Sequence, residues 1–268
     1  MYSLHLTCAP EEVDEISAEL WEHDTAGIRE IEESRRVMLI AGFETNAARE
    51  CLLRRFAAHA PQWIHEDDTD WVQATRDAWP ARAVGQRFFL SPPWSEEALP
   101  DGRLRLVHNP GLACGTGEHP CTQMALEAME RTVQPGNHVA DIGTGSGILA
   151  IAAAQLHAGA VIGVDRDAAA LLAATENHLL NDLQANLAVG SADAIRSNWA
   201  DVTVANISGT VLIDIWSELL RITKPFGSVV LTGFTEAESP VFERMLPGCD
   251  WVKVNEWCCV SARIPDRD

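Results

Sequence analysis

The sequence predicts an α/β protein in which a Rossmann-like, doubly wound sheet follows a small ferredoxin-like α+β domain. Two observations carry this prediction. The first 66 residues contain candidate elements in the order β-α-β-β-α-β, the pattern of a split βαβ domain. From about residue 105, apolar strand candidates alternate with helix-like stretches, which is typical of a parallel sheet with crossover helices. We therefore expect a domain over residues 1–66, a linker helix with connecting strands over 67–104, and an α/β domain over 105–268.

The small domain is predicted from apolar periodicity. Residues 2–8 and 36–43 are apolar and rich in strand-forming residues, and shorter strand candidates lie at 27–32 and 62–66. Apolar side chains recur at helical spacing over residues 10–23, which predicts the first helix. A second helix is predicted after Asn46, whose side chain could cap its first turn.

The larger domain is predicted from four apolar strand candidates, at residues 138–142, 160–164, 202–207 and 228–232. In open parallel sheets, ligands bind beyond the carboxyl ends of the strands. The residues that follow each strand candidate are therefore the first place to look for function.

A glycine-rich turn follows the first of these strands. It reads Asp141-Ile142-Gly143-Thr144-Gly145-Ser146-Gly147 and leads into a helix-like stretch over residues 148–156. Glycines allow a backbone to approach a ligand closely. The dinucleotide fingerprint would need a third glycine where Ile148 stands, and no Gly-Lys-Ser/Thr follows to make a phosphate-binding P-loop. Taken alone, the turn could instead be a tight βα connection, which also requires glycine.

Two acidic residues extend this pattern. Asp165 ends the next strand candidate, about 20 residues after the glycine turn, where a carboxylate can accept from both ribose hydroxyls. Asp193 could accept from an adenine amino group. Asp165 could instead cap the following helix, and Asp193 could simply form a turn. Together, the glycine turn and Asp165 indicate a bound adenosine.

These motifs, with three further segments, resemble a known family. The segments are Asn109–Thr122 (NPGLACGTGEHPCT), Asp141–Ala153 (DIGTGSGILAIAA) and Val204–Ile207 (VANI). The turn with Asp165 resembles class I S-adenosylmethionine-dependent methyltransferases, and the first segment resembles the signature of the bacterial ribosomal protein L11 methyltransferase (PrmA) family. The resemblance covers nearly the whole chain. It implies a class I methyltransferase fold for the larger domain.

The resemblance also implies a cofactor, a partner and roles for individual residues. The cofactor would be S-adenosylmethionine, and the partner would be ribosomal protein L11, recognised by the small domain and methylated on lysine side chains and on its α-amine. Asn206 would be the catalytic residue, because its amide can orient an incoming amine toward the sulfonium methyl. The predicted cofactor-binding residues are Thr116, His119, Thr122, Asp141, Gly143, Gly145, Asp165, Asp193 and Asn206.

The chain departs from the family's usual residues around the site of methyl transfer. Cys114 stands where the family usually has Phe, Glu118 and Cys121 where it has Thr, and Ser208-Gly209 where it has Leu-Ala. Three alternatives therefore stay open: a related methyltransferase with another protein or small-molecule acceptor, a cofactor-binding module without activity, and an NAD-dependent oxidoreductase. The last is disfavoured by Ile148 in the glycine turn.

Composition excludes several other classes of function. The formal net charge of −19 would repel a phosphate backbone, so we expect no direct nucleic-acid binding. The seven cysteines show no paired CxxC spacing, and we expect mostly buried, reduced thiols and no bound metal. No apolar run reaches the length of a membrane span, and the first residues lack an export signal. We therefore expect a cytoplasmic protein that does not bind membranes.

Overall fold

A computed structural model describes residues 2–21, 23, 25–33, 36–65, 79–109, 119–184 and 186–266. The chain divides into two compact units, residues 1–78 and residues 79–268, and each is described by itself. Among the described residues, no helix combines the length and the apolar character needed to cross a bilayer.

The smaller unit has the predicted ferredoxin-like topology. Its elements are β1 (Tyr2–Cys8), α1 (Val13–Trp21), β2 (Gly27–Glu33), β3 (Arg36–Phe43), α2 (Arg49–Arg55) and β4 (Gln62–His65). The four strands form one sheet in the order β2-β3-β1-β4, with antiparallel pairing throughout. The apolar positions of β1, β3 and α1 meet in a core of their own, centred on Leu4, Leu20 and Leu39.

The predicted cap of the second helix is wrong. Helix α2 begins at Arg49 with Ala48 in the N-cap position, and no side chain caps it. Asn46 lies in the preceding turn, where its backbone carbonyl accepts from the Arg49 N–H at 3.3 Å. An asparagine caps a helix only when it immediately precedes the first helical residue, and Asn46 lies too early in the chain.

The larger unit begins with a small three-stranded sheet made of β5 (Arg82–Val84), β6 (Phe88–Ser91) and β7 (Leu104–Val107). Val84, Phe88, Leu90 and Leu106 pack into the same core as the following helices. The connecting strands predicted before residue 104 are therefore part of the larger unit's core. The predicted linker helix and the predicted boundary near residue 66 fall in residues 66–78, outside the described residues, and stay predictions.

The main sheet has seven strands in the order β10-β9-β8-β11-β12-β14-β13. The strands are β8 (His138–Ile142), β9 (Ala160–Asp165), β10 (Leu187–Val189), β11 (Ala200–Asn206), β12 (Thr223–Thr235), β13 (Asp250–Val254) and β14 (Trp257–Arg263). Strands β8 to β12 pair in parallel, and β14 runs antiparallel between β12 and β13. The predicted α/β class is confirmed, with an antiparallel hairpin added at one edge.

Helices cover both faces of this sheet. They are α3 (Pro120–Thr132), α4 (Ile148–Gln155), α5 (Ala168–Leu180), α6 (Gly209–Asp214), α7 (Trp216–Ile222) and α8 (Ser239–Met245). Successive strand residues point to opposite faces, so Val139 and Val204 enter one core cluster while Ala140 and Ala205 enter the other. A sheet buried on both faces explains why its strands are continuous apolar runs in the sequence.

The strand order places a crevice at the carboxyl ends of the central strands. The chain moves outward from β8 through β9 to β10, then returns to the other side of β8 to make β11. Such a reversal leaves an opening between the carboxyl ends of the two central strands, and ligands bind there in open α/β sheets. The glycine turn follows β8, and Asn206 is the last residue of β11.

Candidate functional site

A cavity of about 540 Å³ opens at the carboxyl ends of the central strands. This volume is within the usual range for small-molecule sites. Six of the predicted site residues line it: His119, Thr122, Gly143, Gly145, Asp165 and Asn206. The parallel sheet thus brings together residues that lie far apart in the sequence.

The glycine turn forms one wall of the cavity and depends on its glycines. Gly143, Gly145 and Gly147 have φ values of 72°, 53° and 82°, which lie in the left-handed region that favours glycine. A Cβ on Gly143 would collide with the side chain of Ile207. The amides of Gly143 and Thr144 both donate to the Val164 carbonyl, at 2.8 and 2.9 Å, so the turn is tied to the end of β9.

Asp165 holds the turn from the other side. One of its carboxylate oxygens accepts from the Gly145 N–H at 2.9 Å, and the other accepts from the Asp167 N–H at 3.0 Å. Each oxygen keeps a further lone pair that a ribose hydroxyl could use. The cap of α5 is Asp167, whose side chain accepts from the Ala169 N–H at 2.8 Å. Asp165 is therefore not the helix cap.

Asp141 lies beneath the turn, fully buried. Its Oδ2 accepts from the Thr144 hydroxyl at 2.7 Å and from the Ala150 N–H at 3.1 Å, so it joins the turn to the start of α4. Burial raises the pKa of Asp141 to about 7, and the nearby charge of Asp165 adds to the increase. Asp141 is not part of the described cavity lining, so its contribution to a cofactor would act through the turn.

Asp193 lies in a short 3-10 turn over Ala192–Ala194, and its carboxylate accepts from the Ser191 N–H at 3.2 Å. This is turn-forming geometry. Ser191 and Gly190 line the cavity, whereas Asp193 is outside the lining that the structure describes. The contact of Asp193 with adenine stays a prediction.

Asn206 and Thr122 meet at the opposite wall. The Nδ2 of Asn206 donates to the Thr122 hydroxyl oxygen at 3.1 Å, which links the end of β11 to the first turn of α3. With Nδ2 engaged in this bond, the amide presents Oδ1 as its acceptor. A fixed amide of this kind suits the predicted role of orienting an incoming amine.

His119 caps helix α3 and lines the same wall. Its Nδ1 accepts from the Cys121 N–H at 3.2 Å, and its ring packs edge-on against Trp257 with centroids 4.6 Å apart. The neutral ring therefore carries its proton on Nε2 and keeps no lone pair with which to remove a proton from a substrate. His119 has the geometry of a positioning residue rather than of a base.

The remaining signature residues give a partial picture. Thr116, Cys114 and Glu118 lie outside the described residues, so the prediction that Thr116 helps to close the site stays a prediction. Cys121 is buried, and burial raises the pKa of its thiol. Within the described ranges, no group of three His, Cys, Asp or Glu side chains is arranged to hold a metal ion.

Sequence reasoning missed several residues of the cavity lining. Arg166 follows β9, and Gly190 and Ser191 follow β10. Their position directly after a parallel strand is the signal that could have identified them. Ile207 and Val211, two apolar residues that follow β11, also line the cavity.

Comparisons with known proteins agree with this geometry. The family described as ribosomal protein L11 methyltransferase (PrmA) matches residues 1–265. A protein of that name from Symbiobacterium thermophilum is 36% identical over 176 residues, which cover 66% of this chain and 57% of that protein. A protein of the same name from Burkholderia cenocepacia is 35% identical over 210 residues, or 76% of this chain and 69% of that protein.

A solved structure is also similar. The ribosomal protein L11 methylase from Lactobacillus delbrueckii subsp. bulgaricus superposes with a TM-score of 0.63 at 29% identity, covering 69% of this chain and 100% of that chain. The match to the Symbiobacterium protein, by contrast, spans little more than half of that relative's length.

Proposed function

The chain belongs to the ribosomal protein L11 methyltransferase (PrmA) family, and from that premise we propose that it transfers methyl groups from S-adenosylmethionine to amines of ribosomal protein L11. The acceptors are lysine side chains and the α-amine. One observation supports this function most strongly: the glycine turn, Asp165 and Asn206 line a single cavity at the switch point of the sheet.

The residues of the cavity fit S-adenosylmethionine. Gly143 and Gly145 bring bare backbone to the cavity wall, where a ligand can approach it closely, and the Asp165 carboxylate stands at the end of β9 as an acceptor for ribose hydroxyls. Apolar side chains of Ile142 and Leu149 lie in the same lining and can pack against the rest of the molecule. When bound, S-adenosylmethionine supplies an electrophilic methyl group on its sulfonium.

The protein's task is then alignment of the acceptor. An amine reacts in its neutral form, whereas a free lysine has a pKa of about 10.4. Partial desolvation at the cavity mouth favours the neutral amine. With the cofactor bound, Asn206 Oδ1 would accept a hydrogen bond from that amine, so that the nitrogen lone pair would face the methyl group. The hydrogen bond between Asn206 Nδ2 and the Thr122 hydroxyl oxygen keeps the Asn206 amide from rotating. His119 takes no proton, because its Nδ1 is used by the Cys121 N–H.

The charge of the protein fits a basic partner. The formal net charge of −19 attracts a positively charged protein surface and accelerates its encounter with the enzyme. The smaller unit recognises that partner, and the larger unit holds the cofactor.

Mapping of the methylated atoms tests this function. Purified ribosomal protein L11 is incubated with the full chain and S-adenosylmethionine, and tandem mass spectrometry locates the added methyl groups. The proposal expects them on lysine Nζ atoms and on the α-amine. Methyl groups on another class of side chain, or none on L11 by a protein that binds the cofactor, would contradict it and point to a different acceptor.

A further inference from the structure

One buried side chain connects the glycine turn to the start of the signature segment. Asn177 lies on α5 with 2% of its surface exposed. Its Nδ2 donates to the Ser146 carbonyl at 2.9 Å, and its Oδ1 accepts from the Asn109 N–H at 2.9 Å. Ser146 lines the cavity, and Asn109 is the first residue of the signature segment. A single amide thus bonds to the backbone of both segments.

A second asparagine, one helical turn further on, makes a useful contrast. Asn181 Oδ1 accepts from the Val107 N–H at 2.9 Å, and its Nδ2 donates to the carbonyls of Val107 and Asn177 at 2.6 and 2.7 Å. Asn181 therefore holds the end of β7, two residues before Asn109, and is the C-cap residue of α5. Its hydrogen bonds reach β7 and α5, whereas those of Asn177 reach the glycine turn.

Close packing fixes the turn against α5 at the same place. The buried residues of this helix are Ala174, Asn177 and His178. A Cβ on Gly147 would lie 3.1 Å from the Ala174 Cβ and 3.1 Å from the His178 Cε1, so the turn already touches the helix. Because the helix and the turn are in contact, the Asn177 amide is held in the orientation that makes its hydrogen bonds to Ser146 and to Asn109.

We propose that Asn177 is a positioning residue that sets the distance between Ser146 of the glycine turn and Asn109, and thereby the shape of the cavity wall that the turn forms. The inference rests on the proposed function for the identity of the cofactor, and on the two hydrogen bonds for the positioning itself. An aspartate at this position keeps the size and the acceptor for Asn109. It removes the donor to Ser146 and places a carboxylate oxygen against the Ser146 carbonyl.

The test compares Asn177→Asp with Asn181→Asp in the full chain. Both changes remove an amide donor to a backbone carbonyl, one within α5 and one at the residue that follows it, so both lower stability, but only the bonds of Asn177 reach the cavity lining. We expect the Kd and the KM for S-adenosylmethionine to rise at least about fivefold in Asn177→Asp, with the KM for ribosomal protein L11 unchanged. Asn181→Asp should bind the cofactor as the wild type does. Equal weakening in both variants, or wild-type affinity in Asn177→Asp, would overturn the inference.

A second measurement separates this inference from the proposed function. Hydrogen–deuterium exchange of the cofactor-free proteins reports on the amides of residues 143–147 directly. Exchange there should accelerate in Asn177→Asp and not in Asn181→Asp. If the wild type binds no S-adenosylmethionine, the proposed function fails, and the exchange result still decides the positioning role. Unchanged exchange at the turn in Asn177→Asp would refute it.

Discussion

Asp165 combines two tasks at the scale of one side chain. Its two oxygens accept from the N–H groups of Gly145 and of Asp167, the N-cap residue of α5. In the proposed function, the ribose hydroxyls of the cofactor donate to the same carboxylate. We expect Asp165→Asn to weaken S-adenosylmethionine binding by about tenfold or more, because a charged acceptor is lost, as calorimetry can measure. The matched control is Asp167→Asn, since asparagine caps a helix equally well and Asp167 is exposed. Equal affinity in the two variants would disprove the ribose contact.

Asp141 makes stability depend on pH. Burial raises its pKa to about 7, whereas the carboxyl of an unfolded chain titrates near ~3.9. Between these values the folded protein binds more protons than the unfolded protein, so this contribution is fully present at low pH and is lost as the pH rises through about 7. The free energy of unfolding of the wild type, minus that of Asp141→Asn, should therefore fall between pH ~4 and ~7 and level off above that range.

Urea denaturation of the two proteins at a series of pH values measures this difference. Parallel curves for wild type and Asp141→Asn over that range would mean that Asp141 is already ionised in the folded protein. Such a result would mean that no buried, protonated carboxyl supports the turn.

At the scale of elements, the turn between β8 and α4 depends on how closely it packs on α5. Gly147→Ala introduces both a left-handed alanine and a Cβ 3.1 Å from Ala174 and His178. Gly102→Ala has a similar φ of 77°, and its Cβ would meet nothing within 4 Å. The first variant should lose about 1–3 kcal/mol more stability than the second, which corresponds to overpacking alone. Thermal or urea unfolding checks this, and equal losses would show that α5 yields to the new methyl group.

Much of the site was predictable because it follows from the order of elements. Parallel strands align their carboxyl ends, so residues at or just after the ends of β8, β9 and β11 had to lie close together. Gly143, Asp165 and Asn206 do so. Asn177 was not predictable, since it bonds to residues 68 and 31 positions away and leaves no local pattern. The burial of Asp141 was not predictable either, for a different reason. A shift of one position along a strand separates a residue in the core from one that faces the cavity.

Some of the fold also required the structure. The apolar runs predicted β8, β9, β11 and β12, whereas the place of β14 between β12 and β13 depends on long-range pairing. The strands β5 to β7 looked like a connection in the sequence, but their buried side chains complete the core around α3 and α4. Only packing decides which core such short strands join.

In the whole molecule, no core cluster of the described residues is shared between the two units. Among these residues, the smaller unit has one hydrophobic core cluster, within residues 2–63, and the larger unit has two, within residues 84–264. A fragment that begins at Trp79 should therefore fold and bind S-adenosylmethionine as tightly as the full chain does. It should lose turnover of ribosomal protein L11, because the proposed function assigns recognition of L11 to the smaller unit. Undiminished turnover of L11 by the fragment would place recognition in the larger unit instead.

The intact mass of ribosomal protein L11 tests directly whether the protein methylates L11 and whether Asn206 aligns the acceptor amine. L11 is incubated with S-adenosylmethionine and either the wild type or Asn206→Ala, after calorimetry has shown that both bind the cofactor. We expect methyl-sized mass increments with the wild type and turnover lower by about 100-fold or more with the variant, since the acceptor amine loses its alignment. Equal methylation by both proteins, or none by a cofactor-bound wild type, would contradict it.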